Sequence, residues 1–175
     1  LGFLELLLED DSLTSEQHQQ VPIAHASAKG LLSLINDILD MNKLESGKVI
    51  IEYGQFSLIR LIEQTFEIMN IKAREKGLGL FHHIHESLYS VFSGDALRIR
   101  QVIINLLGNA IKFTNKGYVT LKVTPNGTVG DAILLLFSIE DTGIGIASDN
   151  LQNIFEPFTQ ADSSTTRKYG GTGLG

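Results

Sequence analysis

The sequence predicts an α+β protein in which a helical hairpin precedes a two-layer α/β sandwich. Up to about residue 45, apolar residues recur at three- and four-residue steps, which is typical of amphipathic helices. After Gly47, strand-like runs alternate with helix-like runs, and a turn sequence, Pro125-Asn126-Gly127-Thr128, separates two of the strands. This change of pattern predicts two parts, 1–47 and 48–175, with a hinge at 46–49.

The hairpin is predicted from two helices and a short polar connection. Residues 1–9 form an apolar helix, and Ser15 is a candidate cap for the second helix, in which Pro22 predicts a kink or a late start. The apolar seam of the second helix consists of Leu31, Leu32, Leu34 or Ile35, Ile38, Leu39 and Met41. Gly47 is the predicted terminator of this helix.

The apolar seam is too wide for two helices to bury alone. A second copy of the hairpin would cover it in a four-helix bundle, which predicts a homodimer. The alternative is that the hairpin packs on the rest of the chain as ordinary core, and the pattern by itself leaves both open.

The second part of the chain has the pattern of a sheet with helices. The predicted strands cover 49–53, 80–85, 118–124 and 132–140, and the predicted helices cover 58–75, 95–113 and 148–153. Asp95 is the predicted cap of the helix over 95–113. Strands joined by a tight turn, with helices between the others, predict the sandwich.

Composition excludes several classes of function. The net charge of -6, from 14 Lys and Arg against 20 Asp and Glu, disfavours nucleic acid as a partner. The absence of cysteine excludes disulfides and thiolate metal sites. No apolar run approaches the ~18 residues that a membrane span needs, so we expect no membrane contact by this sequence.

The helix over 95–113 carries an unusual polar stripe. Asn105, Asn109 and Lys112 share one side at spacings of four and three residues, and Arg98 and Gln101 precede them on that side. Asparagine is a mediocre helix former, so two of them beside a lysine suggest oxygen ligands for a hard cation and a positive charge for a phosphate. The alternative is an ordinary solvent-exposed face.

Three further motifs follow this helix. In the first, Asp141-Thr142-Gly143-Ile144-Gly145-Ile146, a carboxylate and two glycines at the end of a strand suit a flat ligand such as adenine, although a plain tight turn has the same pattern. The second, Ile154-Phe155-Glu156-Pro157-Phe158, anchors either a loop or a mobile lid. The third, the glycine run 170–175, offers backbone N–H groups to phosphate oxygens.

The order and spacing of these motifs resemble the catalytic core of sensor histidine kinases of the hybrid type. Residues 105–114 match the N box, 141–146 the first glycine box, 155–158 the F box and 171–175 the second glycine box. Residues 30–48 resemble the second dimerisation helix of the family. The resemblance covers nearly the whole chain and implies a GHKL-type ATP-binding sandwich.

The resemblance implies ATP and Mg²⁺ as cofactors, with specific residues in each role. Asn109 would coordinate Mg²⁺, and Asn105 would lie near the metal and the γ-phosphate. Lys112 would neutralise phosphate charge and act with Asn105 in catalysis. Phe113 would pack near the adenine, Asp141 would accept a hydrogen bond from its exocyclic amine, and Gly143 and Gly145 would shape the base pocket. Ile146 and Phe158 would also belong to the nucleotide site. The lid residues Gly171, Thr172, Gly173 and Leu174 would line the phosphates.

The resemblance also implies a phosphorelay. The family transfers the γ-phosphate to a histidine in an H-E-x-R-T-P motif, but none of the five histidines here lies in such a motif. We therefore expect a fragment cut at both ends, with the acceptor about ten residues before Leu1, too short to autophosphorylate alone. The partners implied are a second copy of the hairpin and a response-regulator receiver domain. The location implied is cytoplasmic, alone or as the cytosolic part of a membrane-bound receptor.

Two alternatives to a kinase use the same fold. GHKL ATPases carry a glutamate as general base one turn before the metal-binding asparagine, and Asn105 occupies that position here. An amide cannot take a proton at neutral pH, which favours transfer over hydrolysis. The other alternative is a nucleotide-binding dimerisation module without kinase activity.

Overall fold

The computed structural model describes residues 1–47, 50–88 and 90–151, apart from the side chains at positions 33, 34, 37, 40, 41, 44, 45 and 149. These residues form two compact units, one within 1–47 and one within 50–151. Helices combine with a mixed sheet, so the predicted α+β class is confirmed. In the described ranges, no helix is both long and apolar enough to cross a bilayer.

The first unit is a helical hairpin of α1 (Gly2–Leu8) and α2 (Ser15–Glu45). The backbone N–H of Gln17 donates to the Thr14 hydroxyl at 3.3 Å, and Gln17 Oε1 accepts from the Thr14 N–H at 2.8 Å. This reciprocal capping box begins α2 at residue 15. The predicted Ser15 cap is therefore wrong by one residue, and the predicted late start is also wrong, because Pro22 lies inside the continuous helix.

The hairpin leaves its apolar residues exposed. Helix α1 lies beside α2, with Glu5 Oε1 3.4 Å from His25 Nε2 and 4.0 Å from Lys29 Nζ. Among the described side chains of this unit none is buried. The exposed seam includes Leu31, Leu32, Ile35, Ile38 and Leu39. The side chains of Leu34 and Met41 are not among those that the structure describes. Gly47 follows the helix with a φ of 64°, as expected of a terminator.

The second unit contains two helices and two small sheets. In chain order its elements are β1 (Gly54–Ser57), α3 (Leu58–Glu75), β2 (Gly79–Ile84), β3 (Val91–Gly94), α4 (Ala96–Phe113), β4 (Tyr118–Val129) and β5 (Ala132–Asp141), with single 3₁₀ turns at Glu86–Leu88 and Ser148–Asn150. Strands β1 and β3 pair antiparallel. In the other sheet, β4 pairs parallel with β2 and antiparallel with β5.

One core joins α3 and α4 to the three-stranded sheet. Fully buried side chains from the two helices and from β4 include Leu58, Ile62, Met69, Leu107, Val119, Leu121 and Val123. They alternate along β4 and recur at helical spacing along α3 and α4, as one buried face of each element requires. The predicted two-layer sandwich is therefore confirmed, and the apolar face of α4 packs in its core.

The first predicted strand of this unit is misplaced. Residues 50–53 form no strand, and β1 begins at Gly54, because its partner β3 pairs only with Gly54–Ser57. The Glu52 N–H donates instead to an Asp95 carboxylate oxygen at 3.1 Å. The sequence pattern did not predict β3, which is only four residues long.

The hairpin turn was also predicted at the wrong residues. Strand β4 continues through Pro125–Thr128 as a bulge, and the chain reverses at Gly130 and Asp131, between the paired residues Val129 and Ala132. Gly130 has a φ of 58°, which is the left-handed conformation that a two-residue hairpin loop needs. The predicted helix over 148–153 is a single 3₁₀ turn, Ser148–Asn150, within the described residues.

Candidate functional site

Helix α4 is fixed at its start by Asp95. The Asp95 side chain accepts the Arg98 N–H at 3.0 Å and the Glu52 N–H at 3.1 Å. The hydrogen bond from the Arg98 backbone lowers the pKa of this carboxyl below its ordinary value. The predicted cap is therefore confirmed, and it also ties α4 to the segment before β1.

The polar stripe of α4 faces away from the core, as predicted. The opposite face buries Ile103, Leu107, Ala110 and Ile111, while Asn105 is exposed and Asn109 and Lys112 are half-buried. Of the described residues, none forms a hydrogen bond with the amide of Asn105 or Asn109. Both amides are therefore available to a ligand.

Lys112 is held partly out of water at the end of this stripe. Its Nζ lies 5.0 Å from the centroid of the Phe113 ring, within cation–π range. Burial lowers the pKa of the Lys112 ammonium. An ammonium with reduced hydration is well suited to bind an anion, because less water has to be displaced.

The turn after β5 is shaped by the side chains of Asp141 and Thr142. Asp141 Oδ1 accepts the Gly143 N–H at 2.8 Å, and Thr142 Oγ1 accepts the Tyr118 N–H at 3.0 Å. Gly117, with a φ of 112°, leaves room for Thr142, because a Cβ on that glycine would overlap the hydroxyl. The hydrogen bond between Asp141 and Gly143 closes the turn, and the one between Thr142 and Tyr118 attaches the turn to the start of β4.

The same turn lies against the end of α4. The Ile144 N–H donates to the Phe113 carbonyl oxygen at 3.3 Å. A Cβ on Gly143 would come within 2.6 Å of this oxygen and within 2.7 Å of Asp141 Oδ1. Two motifs separated by about thirty residues are thus brought together, and only glycine fits at the contact.

Several predicted site residues fall outside the described part of the chain. They are Phe158, Gly171, Thr172, Gly173 and Leu174, and with them the F box and the second glycine box. Asn105, Asn109, Lys112 and Phe113 lie along one stripe of α4, and Asp141, Gly143, Gly145 and Ile146 belong to the turn beside its end.

Comparison with known proteins finds two family models that match this chain. Residues 94–175 match the family model described as histidine kinase-, DNA gyrase B- and HSP90-like ATPase, and residues 1–47 match the His kinase A phosphoacceptor domain. The hybrid signal transduction histidine kinase A of Dictyostelium discoideum is 42% identical over 181 residues, covering 100% of this chain and 8% of that protein. The histidine-protein kinase BarA of Escherichia coli is 38% identical, covering 100% of this chain and 19% of that protein.

A solved structure agrees in fold. Full-length ShkA in complex with AMPPNP superposes with a TM-score of 0.79 at 34% identity, covering 99% of this chain and 35% of that one. The chain belongs to the histidine kinase family. Its fold is that of the dimerisation hairpin and GHKL-type ATPase domain of these kinases. The chain spans only 8% and 19% of the length of the two relatives compared above.

The residues on α4 and in the turn after β5 fit ATP and Mg²⁺. Amide oxygens are hard ligands that suit Mg²⁺, and an ammonium suits phosphate. The carboxylate of Asp141 has its second oxygen without a hydrogen bond from the described residues, so it can accept one from an exocyclic amine. The glycine contact at Gly143 provides a wall without a side chain for a flat base.

Two residues that position the candidate site were not predicted as such. Thr142 fastens the first glycine box to β4, although its place between Asp141 and Gly143 was visible in the motif. Lys76, at the end of α3, donates to the carbonyl groups that end α4. The sequence shows a lysine directly before the helix-ending Gly77, but the nearest carbonyl group that Lys76 reaches along the chain, that of Ile111, lies 35 residues away.

Proposed function

We propose that this chain is the ATP-binding and dimerising part of a sensor histidine kinase, which transfers the γ-phosphate of ATP to a histidine. The observation that carries the proposal is the contact between Phe113 and the Gly143–Ile144 turn. It brings the end of α4, the helix that carries the two amides and the ammonium, against the first glycine box. The AMPPNP complex of the related ShkA supports ATP as the nucleotide.

Within the site, each group has one task. Asn109, with Asn105 nearby, would hold Mg²⁺, which would supply positive charge to the phosphates. Lys112 neutralises phosphate charge, and Phe113, Asp141, Gly143, Gly145 and Ile146 hold adenine. Phe158, Gly171, Thr172, Gly173 and Leu174, which lie outside the described residues, stay predicted nucleotide contacts. Phosphoryl transfer depends mainly on positioning and on charge stabilisation, so these groups suffice without a covalent intermediate on the ATP-binding domain.

The phosphoryl acceptor is a histidine other than the five in this sequence. His82, His83 and His85 lie in or next to β2 of the sandwich, and His25 is held by Glu5 in the hairpin. None of them lies in the family's acceptor motif. A response-regulator aspartate then receives the phosphoryl group, which the solved complex of histidine kinase ThkA with response regulator TrrA supports by homology at 25% identity and a TM-score of 0.64.

The hairpin forms the homodimer. The apolar seam of α2 stays exposed in the described hairpin. This exposure supports a four-helix bundle, in which a second copy of the hairpin covers the seam. The domain boundaries at 1–47 and 48–175 and a cytoplasmic location stay predictions.

Binding of MgATP tests the site. We expect Asn109→Ala and Asp141→Ala each to weaken binding at least about tenfold, because each removes a contact with a charged or polar part of the ligand. The matched controls are Asn126→Ala, in the exposed bulge of β4, and Asp131→Ala, in the exposed turn between β4 and β5. If all four variants bind like the wild type, the site is wrong.

Turnover separates the kinase from its alternatives. Because Asn105 replaces the general base, the chain should hydrolyse ATP only slowly. Rapid hydrolysis without an acceptor would favour a GHKL ATPase. A full-length protein that binds MgATP but incorporates no phosphate into histidine would favour the inactive binding module.

A further inference from the structure

Lys76 joins the end of one helix to the end of another. Its backbone is fixed by the termination of α3, where the Gly77 N–H donates to Arg74 O and the Leu78 N–H to Ala73 O, each at 2.9 Å. Gly77 has a φ of 68°, which completes a Schellman motif. With buried Leu78 anchoring the motif, the Lys76 side chain has a defined starting direction.

The ammonium of Lys76 meets three backbone carbonyl groups at the end of α4. Its Nζ lies 2.7 Å from Lys112 O, 2.9 Å from Ile111 O and 3.3 Å from Thr114 O. An ammonium has three donors, and each of them has an acceptor here. The positive charge also lies at the negative end of the helix dipole.

The turn of α4 that Lys76 holds is the one that carries the phosphate-binding lysine. The shortest of the three contacts is to the backbone of Lys112 itself. Further hydrogen bonds to this turn come from Thr114, whose N–H and hydroxyl both donate to Ala110 O, and from the longer contact between Ile144 N–H and Phe113 O. Lys76 therefore restrains the residues between these two attachments.

We propose that Lys76 is a positioning residue for the nucleotide phosphates, acting through Lys112. It holds the backbone of the last turn of α4, so that the Lys112 ammonium and the Phe113 ring keep one orientation before the ligand arrives. Preorganisation of this kind strengthens binding because the turn does not have to be ordered by the nucleotide. The inference rests on the proposed function, since it assigns Lys76 to the same ATP site.

A double-mutant cycle measured by calorimetric titration with MgATP tests this role. The chains are the wild type, Lys76→Met, Lys112→Met and the double variant, with Lys72→Met as a control that removes an exposed lysine one turn earlier on α3. We expect Lys76→Met to weaken binding about tenfold, with Lys72→Met unchanged. In the double variant, binding should fall less than about twofold below that of Lys112→Met, because coupled residues are not additive.

Circular dichroism and urea unfolding of each chain separate positioning from folding. A Lys76→Met chain with a lower urea midpoint but wild-type affinity for MgATP overturns the inference, as does a full additive loss in the double variant. If Lys76→Met does not fold, the cycle is repeated with Lys76→Arg and Lys76→Gln. Arginine, which keeps a cation, should then retain more affinity than glutamine, and equal affinities overturn the inference.

The wild-type titration distinguishes this inference from the proposed function. A wild-type chain that does not bind MgATP overturns both. A chain that binds MgATP and loses affinity through Lys112→Met but not through Lys76→Met overturns only the role of Lys76.

Discussion

The carbonyl oxygen of Phe113 lies so close to Gly143 that a Cβ on this glycine would come within 2.6 Å of it. Real Cβ atoms do not approach a backbone oxygen this closely, and the backbone of Phe113 is held at the end of α4. The last residue of the helix and the turn after β5 are therefore in contact without space for a methyl group. This contact holds the end of α4 against the turn after β5, and these are the two parts of the proposed nucleotide site.

A Gly143→Ala variant should open this contact. The added methyl group must push the turn away from α4 or from the Asp141 carboxylate, so we expect a loss of about 1–3 kcal/mol in the free energy of unfolding. MgATP affinity should fall at least about tenfold, because the adenine and phosphate halves of the site separate. Urea unfolding and calorimetric titration measure the two effects.

The control for Gly143→Ala is Gly54→Ala. A Cβ on Gly54 meets nothing within 4 Å and its φ is not positive, so nucleotide affinity should not change. If Gly143→Ala keeps both its stability and its affinity, the close contact is not what assembles the site.

The hydroxyl of Thr142 should contribute measurably to stability. It accepts the Tyr118 N–H at 3.0 Å and lies 3.2 Å from Lys116 O, to which it can donate. Thr142→Val removes these bonds and should cost about 0.5–1.5 kcal/mol in urea unfolding. Thr142→Ser keeps the hydroxyl and should cost less. A larger loss in Thr142→Ser than in Thr142→Val would mean that the methyl group, and not the hydroxyl, is what matters.

The lowered pKa of Lys112 predicts a pH dependence of stability. Burial makes the folded chain bind the Lys112 proton less tightly than the unfolded chain does. Below the pKa of Lys112 in the folded chain, burial of the charged ammonium destabilises the fold by its full amount. This destabilisation is relieved as the pH rises through that pKa toward the ordinary value of 10.5, because the folded chain then loses the proton. The wild type should therefore gain stability relative to Lys112→Met between about pH 8 and about pH 10. Urea unfolding of both chains at the two pH values checks this, and a relative loss would contradict it.

The exposed seam of the hairpin predicts the effect of a charge on dimerisation. Ile35 is 46% exposed and its neighbour Leu31 is 60% exposed, so the seam has much apolar surface left to bury. Ile35→Lys should weaken the dimer at least about 100-fold, as measured by sedimentation velocity. The control is Ile71→Lys on α3, which is 63% exposed and lies in the other unit. A dimer unaffected by Ile35→Lys would rule out this seam as its interface.

The elements that the sequence predicted well are those with a long and regular pattern. Helix α4 extends over 18 residues, with an apolar face and Asp95 as its cap, and these local features identify it without the rest of the chain. Strand β3 has four residues and no distinct pattern, and it exists because Gly54–Ser57 lies beside it. The turn at Gly130 was missed because the Pro125–Thr128 segment has stronger turn residues, which the sheet accommodates as a bulge.

By itself, the sequence determined the polar stripe of α4, the residues of the first glycine box and the order of the motifs, because these depend on neighbours along the chain. Only the tertiary structure decided that Phe113 touches Gly143 and that Lys76 reaches the carbonyl groups of α4. Those contacts join residues about 30 or more positions apart. Helical or strand periodicity carries no information at that separation, because the packing of α3, α4 and the sheet around a shared core sets which distant groups meet.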